Sequence, residues 1–238
     1  SFIVNHYGKG KALYLNFPVD GYLCDRYYGR DSSLLDIFRN TMQWAGVLPQ
    51  VQVTRGGRAL GATEIARFKQ GELNLTMMYR DHTIADPATS KATVQWQDEA
   101  HLYDVRQQTY HGFTNQCDKR LEPGQMAVFA RLPYRIKGIR IETSPPMPIA
   151  GDTVSIQLAP RHDSDKTAPH VFHVKISGPD GNSRDYYTKN VLGADGTAKY
   201  TWQTAFDETP GTWIVSATDV VSGQRGEAQI QIVAHSGG

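Results

Sequence analysis

The sequence predicts a mainly β fold that closes in a β-sandwich. Three runs near the C-terminus carry that prediction: Phe172 to Gly178 (FHVKISG), Gly211 to Thr218 (GTWIVSAT) and Ala228 to Val233 (AQIQIV), each alternating apolar with polar residues. On an extended strand successive side chains point to opposite faces, so Phe172, Val174 and Ile176 share one face, as do Trp213, Val215 and Ala217, and then Ala228, Ile230 and Ile232. Turn chemistry between the runs (PDGN, GADG, VSGQ) completes the pattern.

The elements follow in order. YGKG reads as a tight turn into a compact apolar strand at Lys11 to Phe17 (KALYLNF), expected to be buried. After a polar, aromatic loop, Asp31, Ser32 and Ser33 supply candidate helix N-caps, with Asp36 as an acidic capping-box partner. Leu35, Phe38, Met42 and Ala45 recur at helical spacing, and Gly46 stops the helix before Pro49. From Val51 the pattern turns antiparallel. Glu64 to Phe68 and Glu72 to Tyr79 form a hairpin around Lys69 to Gly71, with further strands at Thr93 to Gln97, Leu102 to Gln108 and Gln125 to Leu132. The loop Asp81 to Ser90 is expected to be exposed.

Ile136 to Thr143 alternates again before a stretch stiffened by Pro145, Pro146 and Pro148. Strands are then expected at Thr153 to Ala159, His170 to Ser177, Asp185 to Thr188, Gly196 to Gln203, Gly211 to Thr218 and Glu227 to Val233. Short strands punctuated in this way are the sequence signature of an immunoglobulin-like sandwich. The expected domains are residues 1–49, a β-α unit; 50–135, a small antiparallel β-domain; and 136–238, the sandwich.

Composition narrows the function. The 238 residues carry a formal charge of +1, which gives no electrostatic case for nucleic acid or an anionic membrane. No apolar run approaches the roughly 20 residues of a membrane span, and no signal-peptide core is evident. The chain begins at Ser1 inside an apolar segment, which reads as a fragment or processed product. Cys24 and Cys117 are too few for a disulfide scaffold; they either pair in an oxidising compartment or are both free.

GKGKALYLNF, the helix ending in WAGVLP, and FKQGELNLTMMYRD, HLYDVRQQTYHG and LEPGQMAVFARLPY together resemble the C-terminal regions of bacterial β-galactosidase-like glycoside hydrolases, broadly family 42 and its relatives with a trimerisation domain. The resemblance covers roughly Gly8 to Tyr134. It implies that the first segment is the terminal β-α unit of a flavodoxin-like layer, that a small antiparallel β-domain follows, and that the terminal sandwich is an appended immunoglobulin-like module. In that family the catalytic carboxylates belong to a preceding barrel, and no position here matches them.

Residue by residue, the chain offers little catalytic apparatus. Asp81, Asp86, Asp98, Glu99 and Asp104 are the carboxylates available for paired glycoside chemistry, yet all lie in or beside loops. His170 and His173 fall on opposite strand faces, cannot grip one metal, and read as partly exposed. His82, His101 and His111 have acids nearby in sequence but no nucleophile elbow, and GxSxG, Walker and GxGxxG motifs are missing. PDGNSRD and RHDSDK have clustered oxygens but match no calcium loop. Trp44, Trp96, Trp202 and Trp213 read as core. Tyr27, Tyr28, Tyr186 and Tyr187 are the candidate carbohydrate contacts, since each adjacent pair puts one ring on either side of the chain.

The expectation is therefore a non-catalytic C-terminal accessory region of a carbohydrate-active enzyme, bracing a parent catalytic domain and mediating domain or subunit contacts, with no cofactor or metal. A homo-oligomer and a bound carbohydrate are the other partners considered. The alternative is a self-contained carbohydrate-binding or adhesion module. An extracytoplasmic location is expected from the module type alone.

Overall fold

The computed structural model describes residues 2–28, 30, 33–83 and 90–234. The candidate caps Asp31 and Ser32, the carboxylate Asp86 and most of the loop after Thr83 lie outside the described residues. Strands dominate, and the paired registers are antiparallel. No helix is long and apolar enough to cross a membrane among the described residues.

Two compact units form. The first comprises residues 1–65, 78–99 and 115–126; the second comprises 66–77, 100–114 and 127–238. In the first, β1 (Phe2–Tyr7) and β2 (Gly10–Leu15) make a two-stranded hairpin, with Phe2 opposite Leu15 and Tyr7 opposite Gly10. YGKG is its turn, and Gly8 takes φ 57° there, a left-handed conformation that costs glycine little. The buried strand expected at Lys11 to Phe17 is thus corrected: β2 pairs antiparallel with β1 alone and none of its side chains is buried, because the turn folds the chain back on itself instead of feeding a parallel layer.

Helix α1 (Gly21–Tyr28) occupies what reads in sequence as a loop, and α2 (Ser33–Trp44) is the expected helix. Gly46, at φ 79°, ends α2 as expected. The Val47 N–H reaches back to the Met42 carbonyl and the Gly46 N–H to the Gln43 carbonyl, satisfying end groups that the helix itself leaves open. The Lys11 ammonium donates to the Trp44 carbonyl at 2.7 Å, a cation placed at the negative end of α2. Then come β3 (Val51–Arg55), β4 (Arg58–Ala59), β5 (Thr63–Gln70), β6 (Leu73–Arg80), β7 (Lys91–Asp104), β8 (Thr109–Arg120) and β9 (Met126–Leu132). β5 and β6 are neighbours around Gly71, as the hairpin expectation required. The strands expected at Thr93 to Gln97 and Leu102 to Gln108 are one continuous strand, β7, which ends at Asp104.

The second unit contains the sandwich. One sheet has the order β10 (Gly138–Ser144), β11 (Thr153–Arg161), β14 (Ala198–Gln203); the other has β13 (Lys189–Gly193), β12 (His170–Ser177), β15 (Gly211–Asp219), β16 (Arg225–Ile232). The alternating residues meet between them. Phe172, Val174, Ile176, Trp213, Val215, Ile230 and Ile232 are buried together with Val154, Ile156, Leu158 and Trp202. Trp202 and Trp213 lie 5.6 Å apart, and the Trp213 indole N–H donates to the Thr209 carbonyl, so its polar edge is satisfied. The strand expected at Asp185 to Thr188 is corrected to a 3-10 turn, Asp185–Tyr187, because the Tyr187 and Thr188 N–H groups turn back onto the Arg184 and Asp185 carbonyls.

Candidate functional site

The most chemically suggestive group in the chain is buried in the sandwich. His170 opens β12 and Asp219 closes β15; both are at most 1% exposed. The His170 Nδ1 lies 2.7 Å from Asp219 Oδ1, and its Nε2 lies 2.9 Å from the Tyr134 hydroxyl. Asp219 Oδ2 accepts from both the Ser222 N–H at 2.8 Å and the Ser222 hydroxyl at 2.6 Å. Backbone hydrogen bonding from Ala168 and stacking of His162 at 3.9 Å complete the surroundings of Tyr134. One assignment satisfies every member: Ala168 donates to the Tyr134 oxygen, Tyr134 donates to His170 Nε2, and the His170 Nδ1–H donates to Asp219. Burial pushes the Tyr134 hydroxyl up to about 12 and holds the His162 imidazole below its ordinary range.

A serine, a histidine and an aspartate invite comparison with a nucleophilic triad. In such a triad the serine oxygen bonds the histidine and the aspartate holds the far side of the ring. Here Ser222 bonds the aspartate directly, the free side of His170 faces a tyrosine, and Ser222 is only 4% exposed. No proton can pass from Ser222 to His170 in this connection, and no substrate reaches the oxygen. The cluster is a structural clasp that satisfies a buried carboxyl group with three donors. The expectation of a partly exposed His170 is therefore corrected: its ring faces the core, and only His173, hydrogen-bonded to Asn190, is the surface histidine of the pair. A local signal existed for half of this, since Asp219 followed by Ser222 and Gly223 is turn chemistry; Gly223 takes φ 71°.

The carboxylates do not assemble. Asp81 is bound by the Tyr27 hydroxyl and by the N–H and hydroxyl of Thr83, which bring its carboxyl down to about 2, the Thr83 hydroxyl foremost. The same bond to Asp81 is the main reason that Tyr27 is pushed up to about 12. Asp104 is fully buried and accepts the Gln107 N–H at 3.0 Å, capping the turn into β8, while Asp98 and Glu99 are exposed on β7. His101 sits beside Tyr110, 2.7 Å from its hydroxyl, and is held below the ordinary histidine range by burial and then by Arg135. Asp180 accepts from Arg184 and Asn182, so PDGNSRD closes on itself, and Asp163 is paired with Lys137. No group of three or more His, Cys, Asp or Glu able to hold a metal occurs among the described residues. Cys24 is exposed, Cys117 is buried, and the two form no disulfide.

The four candidate tyrosines divide by role. Tyr187 is anchored: its ring meets Trp202 edge-on at 5.3 Å and its hydroxyl donates to Glu208. Tyr186 stands 68% exposed beside it. Tyr27 is half-buried through its bond to Asp81, while Tyr28 is exposed with the Arg30 guanidinium 4.9 Å from its ring centre. Tyr27 and Tyr28 both line an open groove of about 1260 Å³ in the first unit, which residues of α1, α2, β3 and the Val47 to Pro49 connector also line. Trp96, Trp202 and Trp213 are core as expected, whereas Trp44 is half-buried against His6 and Lys11.

No family model matches the chain, and no curated protein matches it significantly. Solved structures to which it is similar include a β-glucosidase variant of Listeria innocua, at 14% identity and TM-score 0.30 over 49% of this chain and 18% of that one. They also include α2-macroglobulin of E. coli, at 11% identity and TM-score 0.36 over 70% of this chain and 14% of that one. A third is a β-glycosidase of Bacteroides vulgatus, at 11% identity and TM-score 0.29 over 69% of this chain and 25% of that one. Parts of glycoside hydrolases are thus among the similar structures, and the chain spans at most a quarter of the three proteins. Scores this low carry no argument about activity.

Proposed function

We propose that this chain is a non-catalytic accessory region of a larger carbohydrate-active enzyme of the β-galactosidase-like class, in which it braces the catalytic domain and mediates domain or subunit contacts. The observation that carries this reading is the surface of the first fifty residues: between Phe2 and Gln50 no described side chain is buried. Phe2, Ile3, Val4, Leu23, Tyr28, Val47 and Leu48 are each more than half exposed. Apolar side chains left open in such number mark an interaction surface. The sandwich, by contrast, has its own core and would serve as the immunoglobulin-like spacer. The motif resemblance from Gly8 to Tyr134 supports the enzyme class, and an extracytoplasmic location goes with the module type. The purified chain is expected to bind a hydrophobic dye and to self-associate by light scattering, and to leave aryl glycosides intact. A monomer that binds no dye contradicts the bracing role; hydrolysis abolished by Asp81→Asn or Asp104→Asn contradicts the non-catalytic one.

A second reading, a carbohydrate-binding module, is favoured by the exposed Tyr186 ring held against the anchored Tyr187. Retardation in polysaccharide affinity gels that disappears in Tyr186→Ala is its expected result; unaltered migration counts against it.

A further inference from the structure

A second polar and aromatic cluster, in the unit that holds the sandwich, is built on Tyr103, which is 1% exposed near the end of β7. Its ring packs 5.0 Å from that of Tyr110 on β8, and its hydroxyl accepts the Ile136 N–H at 2.8 Å. One buried residue thus fixes both Tyr110 and the segment between β9 and β10 that carries Arg135. The Tyr110 hydroxyl in turn lies 2.7 Å from the His101 Nδ1, and the Arg135 guanidinium stands 4.9 Å from the Tyr110 ring centre. Neutral His101 accepts the hydroxyl proton at Nδ1, so its own hydrogen sits on Nε2. Phe113, 59% exposed, lies 5.2 Å from the His101 ring.

Two donors are left over. Neither the His101 Nε2–H nor the exposed Arg135 guanidinium has a hydrogen bond or ion pair to a described residue. β9 sets the uncharged Leu132 opposite His101, and Arg135 is the one charged group among the described residues that bears on the ring; Glu99, two places earlier on β7, does not.

We infer that His101, Arg135 and Phe113 form a subsite for a sugar ring that carries a carboxylate. The inference rests on the carbohydrate-active reading and names a ligand class for it. The carboxylate accepts from the Arg135 fork and the His101 Nε2–H, and the apolar face of the sugar lies on Phe113. Tyr110 is a positioning residue that holds the two donors. One permanent cation beside a neutral imidazole matches a single negative charge, so a doubly charged phosphate fits less well. The site also takes up a proton on binding. Burial and then Arg135 hold the imidazole below its ordinary range. A bound carboxylate offsets Arg135 and favours the imidazolium, so affinity rises as pH falls through that lowered range.

Titration of the full chain with methyl galacturonoside, followed through the imidazole Cε1–H signals by nuclear magnetic resonance, tests this. The His101 signal, assigned by its loss in His101→Gln, is expected to move and saturate, with affinity at least about threefold higher near pH 5.5 than near pH 7.5. Arg135→Gln is expected to weaken binding at least about tenfold. His101→Gln should remove the pH dependence, and Phe113→Ala should weaken the sugar acid several-fold while leaving acetate unchanged. Arg135 and Phe113 are exposed, and circular dichroism of each variant confirms folding. No saturable shift, equal binding of neutral methyl galactoside, tighter binding of phosphate or benzoate, or an undiminished Arg135→Gln overturns the inference. Such a failure beside persistent dye binding and self-association removes the subsite alone, whereas loss of the dye and scattering signals removes the accessory reading itself.

Discussion

Replacing Asp219 by alanine removes the acceptor at the centre of the sandwich clasp. Three donors lose their partner at once: the His170 Nδ1–H, the Ser222 N–H and the Ser222 hydroxyl. Asp219 and His170 are at most 1% exposed and Ser222 is 4% exposed, so water cannot replace the carboxylate without opening the fold. A buried donor without a partner costs about 1–3 kcal/mol. The serine hydroxyl can rotate toward another acceptor, so the two remaining donors sum to about 2–6 kcal/mol, a large part of the roughly 5–15 kcal/mol that holds a domain folded. Asp219→Asn keeps the shape and one acceptor and is expected to cost about half as much. Urea unfolding followed by tryptophan fluorescence measures both, since Trp202 and Trp213 are fully buried in the same core. A loss below about 1 kcal/mol for Asp219→Ala would refute the clasp. Ser222→Ala removes only the hydroxyl donor and keeps the His170 and backbone N–H bonds, so it should weaken the fold less than Asp219→Ala.

Gly226 on β16 is pressed against backbone, and a Cβ there would fall 2.3 Å from the Ile139 carbonyl oxygen. Gly226→Ala should therefore cost about 1–3 kcal/mol, and an unshifted urea midpoint would show that the two strands give way. Tyr187→Ala removes a ring packed on Trp202 and should cost about 2–3 kcal/mol, whereas Tyr186→Ala should stay within about 0.5 kcal/mol; equal losses would contradict the division of roles. The Asp81 carboxyl, lowered from 3.8 to about 2, contributes stability that is present above pH 4 and lost as pH falls from 4 through 2. Tyr27, raised to about 12, loses its contribution as pH rises from 10 through 12. Carboxyl chemical shifts and ultraviolet tyrosine titration follow the two groups, and Asp81→Asn should bring Tyr27 back toward 10; an Asp81 that titrates near 4 would contradict the bond.

The sandwich was legible because period-2 alternation reports a sheet with one buried face, and Phe172, Val174, Ile176, Trp213 and Val215 alternate cleanly. Strands that lack that asymmetry were not legible. β8, TYHGFTNQCDKR, has a glycine at φ 100° and few apolar positions, and β13, KNVLG, is a short edge strand. The polar DEA at Asp98 to Ala100 looks like a turn, yet β7 runs through it. Asp185 to Thr188 failed for the opposite reason: two tyrosines raise strand propensity while the backbone closes a 3-10 turn. Helix α1 was hidden by its aromatic composition and glycine start. At the candidate sites the limit was distance along the chain. The adjacency of Tyr27 with Tyr28 and of Tyr186 with Tyr187 showed that one ring of each pair faces outward, but not that Tyr28 and Tyr186 are the exposed ones. The clasp joins His170 to Asp219 and Tyr134 across 49 and 36 positions, a relation that no local pattern records.

The most direct measurement is to read the open reading frame upstream of the Ser1 codon. An upstream barrel domain with paired carboxylates at its strand ends is the expected result, and it would place this chain as the accessory region of a glycoside hydrolase. A start codon or signal peptide immediately before Ser1 would contradict that claim and turn attention to the carbohydrate-binding reading.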